Sequence, residues 1–499
     1  MNNYLKKFNF YLVLSLSLIL WGSKGIAEDM VHIFPIQNYD QRVASWVNVN
    51  DNTTPLISAS QQALRYADFK SHLLGDQSPW SPDYVNQILH PQTGSTVQQQ
   101  EEGVIGTFNN PANQNNPELI QYAENFHAYD LAGGPGNWLS SITNDMNLNQ
   151  FANLFYSDAN RAIATQNLLG RMLPTNDPGF QSYTFGGQGY PFDNLQLSVI
   201  WAGEPLYVLG TTLDGKWDLV LTSSFFAWVP DNQIAKASDD FISTWQDDAA
   251  QLIAVTQTAT KVSNSNGQYL FDAYVGSVFP GSSTNQIFVP IRDPAGNAQI
   301  ATATIPDNTS VIMPFAATSH NMGLIMQSLQ GRPYGWGNMY YYNDCSAEMK
   351  SLFAPFGVWL PRNSADQPSA GKVVDETNAS MNQRIAYLIQ NGHKLVTMVY
   401  ISGHVFLYTG NYKWGWSIQA MTYQNIWGLR PAASDSMTVY RAVIGGSVFL
   451  PLFRQYPEDT NLQSLADKSK FVIFYVDQMP TKSSTINLSN MARFPADDS

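Results

Sequence analysis

The chain contains a single cysteine, Cys345, and the residues around it suit a nucleophile. Apolar residues follow it at helical spacing, including Met349, Leu352 and Phe356, and they predict a helix that starts at or just after Cys345 and stops at Gly357. A helix N-terminus offers partial positive charge and free N–H groups, which favour a thiolate and can also stabilise an oxyanion. The alternative is that a lone cysteine simply fills a buried apolar position.

A thiol nucleophile needs a base, and His404 is the best placed of the seven histidines. Residues 394–400 and 404–408 have the pattern of two strands joined by the turn Ile401-Ser402-Gly403. His404 therefore opens a strand whose other residues are apolar, where its side chain can face a helix N-terminus across the sheet. His320 is the rival candidate, and a histidine with a purely structural role is the more common case.

The first residues have the features of an export signal. Lys6 and Lys7 precede an apolar stretch over 8–21, and Gly25-Ile26-Ala27 supplies the small residues of a cleavage site, so residues 1–27 are expected to be removed. A retained membrane anchor is the alternative, although the apolar stretch is short for a bilayer core of about 30 Å. We expect an exported chain, periplasmic or secreted, with no membrane contact in its mature form. Because exported proteins usually pair their cysteines, an unpaired one points to a reactive thiol.

Composition limits the classes of partner. Of the 499 residues, 39 are acidic and 26 are basic, and the net charge is −13. Because binding to nucleic acid needs clustered lysine and arginine, we expect no nucleic-acid partner. The length is too great for one core, so several domains are expected in what we predict to be a monomer.

The predicted secondary structure changes along the chain. Helical patterns over 55–74 and 148–173 suggest a mainly helical N-terminal region, and residues 98–116 read as an exposed loop in which Glu101 and Glu102 are solvated. Further on, short alternating strands with turn signals such as Asp214-Gly215 predict two small barrels in tandem. The expected units are a signal peptide over 1–27, the N-terminal region over 28–165, barrels over 166–240 and 241–308, a mixed domain over 309–450 and a C-terminal extension over 451–499.

Four ordered blocks then carry a resemblance. They are Gly331-Arg332-Pro333-Tyr334-Gly335-Trp336-Gly337, Asp344-Cys345-Ser346, Phe356-Gly357-Val358-Trp359-Leu360-Pro361-Arg362-Asn363-Ser364 and Gly403-His404-Val405. Together they resemble the NlpC/p60 cell-wall cysteine peptidases, in particular the subgroup with an N-terminal clip domain and two bacterial SH3-like barrels. The resemblance implies an α+β papain-like catalytic domain over 309–450, preceded by those barrels and the clip.

The resemblance also implies roles for individual residues. Cys345 is the expected nucleophile, His404 the general base and Gln424 the polar residue that orients the histidine, with Gln419 a weaker alternative. The substrate-binding residues that it implies are Tyr334, Trp336, Asp344, Ser346 and Arg362. Of these, Asp344 has the alternative role of a helix N-cap, and Arg362 either pairs with a substrate carboxylate or supports the loop. No metal or cofactor is implied.

The activity implied is hydrolysis of the γ-D-glutamyl–L-diamino acid bond of peptidoglycan stem peptides, with a free N-terminal L-Ala preferred. Two alternatives remain open from the sequence. One is a catalytically inactive wall-binding or adaptor protein that attaches through its barrels. The other is a different acyl transfer on the same cysteine and histidine, such as amidase or transglutaminase chemistry.

Overall fold

The computed structural model describes residues 32–109, 137–179, 190–431 and 441–480. The predicted signal peptide over 1–27 lies outside the described residues, as do residues 481–499 of the predicted C-terminal extension. Among the residues that are described, none of the helices has the length and apolar character needed to cross a bilayer.

The N-terminal region is mainly helical, as predicted. A short strand, β1 (His32–Ile33), comes first, and serine side chains at Ser58 and Ser81 accept backbone N–H groups at the start of two of the helices that follow. The helices are α1 (Val43–Trp46), α2 (Ala59–Leu74), α3 (Pro82–Leu89), α4 (Val97–Asn109) and α5 (Asn137–Met146).

Helix α4 corrects the prediction of an exposed loop over 98–116, of which residues 110–116 lie outside the described part. Val104 and Ile105 pack into the core of the neighbouring barrel, and Glu101 is only 3% exposed beside them. Its carboxylate accepts the indole N–H of Trp228 at 3.0 Å, so the expectation that it is solvated was wrong. The density of Gln and Gly in this stretch concealed a helical apolar face.

The first barrel holds a second correction, because two strands stand where helical spacing predicted a helix over 148–173. These strands pair with distant strands of the same sheet, and such pairing overrides local propensity. The predicted turn at Gly215 is confirmed, with φ of +70°. In chain order the strands are β2 (Arg161–Ala164), β3 (Leu168–Arg171), β4 (Gln196–Ile200), β5 (Pro205–Thr211), β6 (Trp217–Leu221), β7 (Phe226–Pro230) and β8 (Ile234–Lys236), and they are arranged β4-β3-β7-β6-β5-β2-β8.

Helix α6 (Asp239–Asp248) leads into a second unit of short antiparallel strands. Val262, Phe279, Ile287 and Val289 are buried in its core. The strands are β9 (Leu252–Val255), β10 (Thr260–Asn264), β11 (Tyr269–Ala273), β12 (Val278–Ser283), β13 (Gln286–Arg292), β14 (Ala298–Thr304) and β15 (Ser310–Ile312), in the order β11-β10-β14-β13-β12-β9-β15.

The last domain combines helices with a mixed sheet, which confirms the predicted fold class. Its helices are α7 (Ser319–Leu329), α8 (Cys345–Phe353) and α9 (Met381–Asn391). Its strands are β16 (Lys372–Asp375), β17 (Thr397–Ile401), β18 (His404–Trp414), β19 (Ser417–Leu429), β20 (Ala442–Pro451) and β21 (Phe471–Tyr475), in the order β1-β20-β19-β18-β17-β21-β16. The strand β21 lies inside this sheet, beyond residue 450 where the sequence placed the end of the domain.

Apolar side chains of β17 point alternately to the two faces of the sheet, and helices cover both faces. Met398 and Tyr400 belong to the core cluster that contains residues of α7 and α8, whereas Val399 and Ile401 belong to the cluster that contains residues of α9. The hairpin of β17 and β18 is confirmed, since Ile401 pairs with His404. The sheet therefore holds the start of β18 at a defined position relative to α8.

Candidate active site

Cys345 is the first residue of α8, as its sequence context predicted. Asp344 is the N-cap, and its side chain accepts the backbone N–H of Ala347 at 2.9 Å. The thiol is buried, and the backbone N–H groups of Ser346 and of Val405, the residue after His404, lie close enough to lower its pKa. The fold thus places the cysteine sulfur beside the first residues of β18.

His404 and Gln424 are brought into direct contact. Leu407 of β18 pairs with Tyr423 of β19, and this register puts the two side chains within reach of each other. The distance from His404 Nε2 to Gln424 Oε1 is 2.6 Å, and Gln424 is fully buried. A short hydrogen bond to a buried amide holds the imidazole in one orientation.

The rival candidates lie in other environments. The ring of His320 is hydrogen bonded through Nδ1 to the carbonyl oxygen of Val49, at 2.5 Å. Gln419 lies near the turn between β18 and β19, where its amide donates to the hydroxyl of Ser417 at 2.9 Å. Neither residue contacts His404 in these bonds, so the geometry favours Gln424 as the orienting side chain.

Burial keeps both reactive groups neutral in the free protein. It raises the pKa of the Cys345 thiol to about 12, reinforced by the carboxylate of Asp344 and opposed by the N–H groups of Val405 and Ser346. Burial likewise lowers the pKa of His404 to about 4, against the hydrogen bond to Gln424, which favours the protonated ring. At neutral pH the site therefore contains a thiol and an uncharged imidazole that can act as a base.

Arg362 joins the nucleophile loop to the first barrel. Its Nη2 lies 2.5 Å from Asp344 Oδ2, and its Nη1 donates to Ser346 Oγ at 2.8 Å. Its Nε donates to the hydroxyl of Ser198, in β4, at 2.6 Å. Of the two roles that the sequence left open for Arg362, these bonds favour support of the loop. Asp344 serves as the helix cap and as the partner of this arginine.

Aromatic side chains from two domains meet beside the cysteine. Burial raises the pKa of Tyr334 well above its usual value, and the neighbouring groups of Cys345 and Asp344 raise it further. Trp336 packs edge-on against Phe192 of the first barrel, with ring centroids 5.6 Å apart, and Phe192 also meets Trp427 at 4.9 Å. The sequence did not identify Phe192 as part of the site, because its role depends on how the barrel packs.

A buried carboxyl group, Glu348, was also missed. It accepts the hydroxyl of Tyr423 at 2.5 Å and the side-chain amide of Asn343 at 2.8 Å. Burial raises its pKa, and these hydrogen bonds oppose that effect. Glu348 thereby ties α8 to the residue before Gln424. The sequence offers no motif for it, since a glutamate in a helix is ordinarily exposed.

Comparison with family models identifies two domains in the chain. Residues 331–434 match the NlpC/P60 family, and residues 178–230 match an SH3 domain of the SH3b1 type. The chain therefore contains an NlpC/P60 domain. The matched range includes Cys345, His404 and Gln424, whereas Phe192 and Ser198 belong to the SH3b1-type domain that packs against the NlpC/P60 domain.

A solved structure shows the same fold over most of the length. The structure described as a novel NlpC/P60 endopeptidase from Photobacterium damselae subsp. piscicida is 24% identical, has a TM-score of 0.73, and the match covers 90% of this chain and 100% of that one. An NlpC/P60 family protein from Bacillus cereus is 14% identical with a TM-score of 0.39, covering 61% of this chain and 98% of its own. A search of curated proteins gives no match.

Proposed function

We propose that this chain is an exported cysteine endopeptidase that hydrolyses the γ-D-glutamyl–L-diamino acid bond of peptidoglycan stem peptides. The observation that carries the proposal is an NlpC/P60 domain in which the cysteine begins a helix and the histidine is held by a buried glutamine at 2.6 Å. Export is inferred from the pattern of residues 1–27.

The proposed mechanism starts from a neutral thiol at Cys345 and a neutral imidazole at His404. Because Gln424 accepts the Nε2–H of His404, the free Nδ1 can take the thiol proton of Cys345 as the sulfur adds to the glutamyl carbonyl. The oxyanion forms beside the N–H groups that begin α8. His404 then gives its proton to the leaving amine, and a thioester remains. Water, deprotonated by His404, hydrolyses that thioester and releases the free cysteine.

We further propose that a stem peptide with a free N-terminal L-Ala is preferred. Asp344 and Ser346 flank the cysteine and supply oxygen atoms that can accept from an ammonium group. Asp344 Oδ1 already accepts from Ala347, Ser346 and Arg362, but Oδ2 accepts one bond, from Arg362, and keeps a lone pair that can accept from the ammonium. The SH3b1-type domain, through Phe192, closes one side of the site.

The test is to incubate L-Ala-γ-D-Glu-diaminopimelate, and the matching lysine peptide, with wild type and Cys345→Ala. Wild type should release the dipeptide L-Ala-D-Glu, identified by mass, and Cys345→Ala should release none. Equal release by both proteins, or none by wild type, contradicts the proposal. Other acyl transfers are separated by the same measurement, because their products differ in mass from the free dipeptide L-Ala-D-Glu.

The preference for a free amine is tested on an N-acetylated copy of the same peptide and on cross-linked sacculi. We expect kcat/KM for the acetylated peptide to fall at least about tenfold, since it lacks the ammonium that Asp344 would bind. Sacculi digested as fast as the free peptide would contradict the preference while leaving the bond specificity standing.

A further inference from the structure

A buried threonine lies behind the orienting glutamine. Thr422 is fully buried in β19, where it pairs with Leu450 of β20. Its hydroxyl donates to the carbonyl oxygen of Leu450 at 2.7 Å. A hydroxyl has one hydrogen, so the oxygen of Thr422 is left with the capacity to accept but not to donate.

Gln424 follows two residues later on the same face of the strand. Its side-chain Nε2 donates to Thr422 Oγ1 at 2.9 Å, and its Oε1 faces His404 Nε2 at 2.6 Å. An amide turned by 180° would place its oxygen against a hydroxyl that can only accept. Thr422 therefore determines which end of the amide faces the histidine.

The orientation of the amide in turn decides the tautomer of the histidine. An amide oxygen can only accept, so His404 must carry its proton on Nε2, and Nδ1 keeps a free lone pair. With the amide reversed, its NH2 group would face Nε2 and stabilise the tautomer in which Nδ1 is protonated. That tautomer has no base available at Nδ1 for the thiol of Cys345.

We propose that Thr422 is a positioning residue that sets the imidazole tautomer of His404 through Gln424. The consequence for catalysis rests on the proposed function, whereas the tautomer itself does not. The alternative is that Thr422 merely satisfies a buried amide, in which case its removal would affect folding stability but not the chemistry.

The first test is kinetic. Thr422→Val keeps the shape of the side chain and removes the hydroxyl, and we expect kcat for the tripeptide to fall at least about tenfold, equivalent to about 1.4 kcal/mol, with KM within about twofold. Thr422→Ser should restore kcat. The matched control is Thr409→Val, because Thr409 is also buried and also donates to a strand carbonyl, that of Met421, without contacting Gln424. Unchanged kcat in Thr422→Val would overturn the proposal.

The second test does not depend on turnover. Wild type labelled with ¹⁵N-histidine should show His404 protonated at Nε2, with the signal assigned by its loss in His404→Ala, and Thr422→Val should show a mixture of tautomers. A single Nε2–H tautomer in both proteins would overturn the proposal even if the peptidase activity is confirmed. If no peptide is cleaved but the tautomer shifts, the proposed function fails and the positioning role stands.

A double-mutant cycle separates an effect that passes through the amide of Gln424 from a general loss of folding in Thr422→Val, because a general loss would appear in both backgrounds. In a Gln424→Glu background the side chain has two acceptor oxygens and no NH2 group, so its orientation no longer matters. Thr422→Val should then lower kcat by less than about twofold. An equal loss of kcat in both backgrounds would show that the effect of Thr422 does not pass through the amide.

Discussion

At the scale of single residues, the site depends on groups that burial holds in their neutral forms. The buried imidazole of His404 has a pKa lowered to about 4, although its hydrogen bond to Gln424 favours the charged ring. A neutral glutamine orients the ring without supplying a negative charge that would stabilise imidazolium. The residue at position 424 therefore sets the lowest pH at which His404 is still unprotonated and can act as a base.

Replacing Gln424 by glutamate should raise the pKa of His404 and shift the acidic limb of the pH profile. A carboxylate at this position stabilises the protonated ring, so the acidic limb of the profile of log kcat/KM against pH should rise from about 4 by at least about one pH unit. Gln419→Glu is the control, because Gln419 lies in the same strand and is bonded to Ser417 instead. A wild-type acidic limb near 6.5, the pKa of an ordinary histidine, would contradict the lowering of the His404 pKa by burial.

Arg362→Lys tests the structural role of the guanidinium. Lysine cannot reproduce its separate bonds to Asp344, Ser346 and Ser198, so a buried carboxylate loses a partner and the free energy of unfolding should fall by about 2 kcal/mol or more. Arg292→Lys, at the surface pair with Asp231, should cost less than about 1 kcal/mol. Urea unfolding measures both. Unchanged stability with a higher KM would instead indicate a substrate-binding role.

At the scale of elements, α4 shows how a helix can be mistaken for a loop. Its polar residues dominate the composition, yet Val104, Ile105 and Glu101 lie on the face that packs against the first barrel. Burial raises the pKa of Glu101 to about 7, and the indole N–H of Trp228 opposes that rise. The folded state thus binds this proton more tightly than the unfolded chain does.

The stability of the folded chain should depend on this group. Below about pH 4.5 Glu101 is protonated in both states and costs nothing, but between about pH 4.5 and 7 the ionising carboxylate destabilises the fold by on the order of 3 kcal/mol. Glu101→Gln keeps an acceptor for Trp228 and should raise the melting temperature at pH 8 but not at pH 4.5. Glu102→Gln, the exposed neighbour, should have no such effect. Equal melting temperatures of Glu101→Gln and wild type at pH 8 would show that this carboxylate carries no burial cost.

At the scale of the whole molecule, the first barrel is a wall of the site. Gln196 and Ser198 are two residues apart in β4, so their side chains lie on the same face of the strand, and this face is turned towards the NlpC/P60 domain. Gln196 Nε2 donates to the carbonyl oxygen of Gly337 at 3.0 Å, and Ser198 accepts from Arg362. The N-terminal region is joined to the same domain, because His32 of β1 pairs in parallel with Ala442 of β20. The first barrel is therefore coupled to the loop that carries the nucleophile, and the N-terminal region to the central sheet.

Gly337→Ala should disturb this coupling. Gly337 has φ of +56°, and a Cβ there would lie 2.5 Å from the backbone oxygen of Gln196. Gly215→Ala is the matched control, since φ is +70° and its Cβ would meet nothing within 4 Å. Each variant pays about 1 kcal/mol for its backbone conformation, but Gly337→Ala should lose clearly more stability and also lower kcat/KM. Equal losses in the two variants would show that the contact with Gln196 is not needed.

The sequence by itself determined the local features of the site. Helical spacing after Cys345 located the start of a helix, and alternation around Ile401-Ser402-Gly403 located the strand that His404 opens. Both signals arise because a helix or a hairpin buries one face, so its apolar residues recur at fixed spacings within a few positions of each other. Four ordered blocks then pointed to the NlpC/P60 domain.

Only the tertiary structure decided what surrounds those residues. The burial of Glu101, the contact of Ser198 with Arg362, the packing of Phe192 on Trp336 and the place of β21 inside the sheet all join segments far apart in the chain. Local patterns do not specify such pairs, because a polar or aromatic residue has the same sequence signal whether water or a distant backbone becomes its partner. The packing of the domains decides that choice.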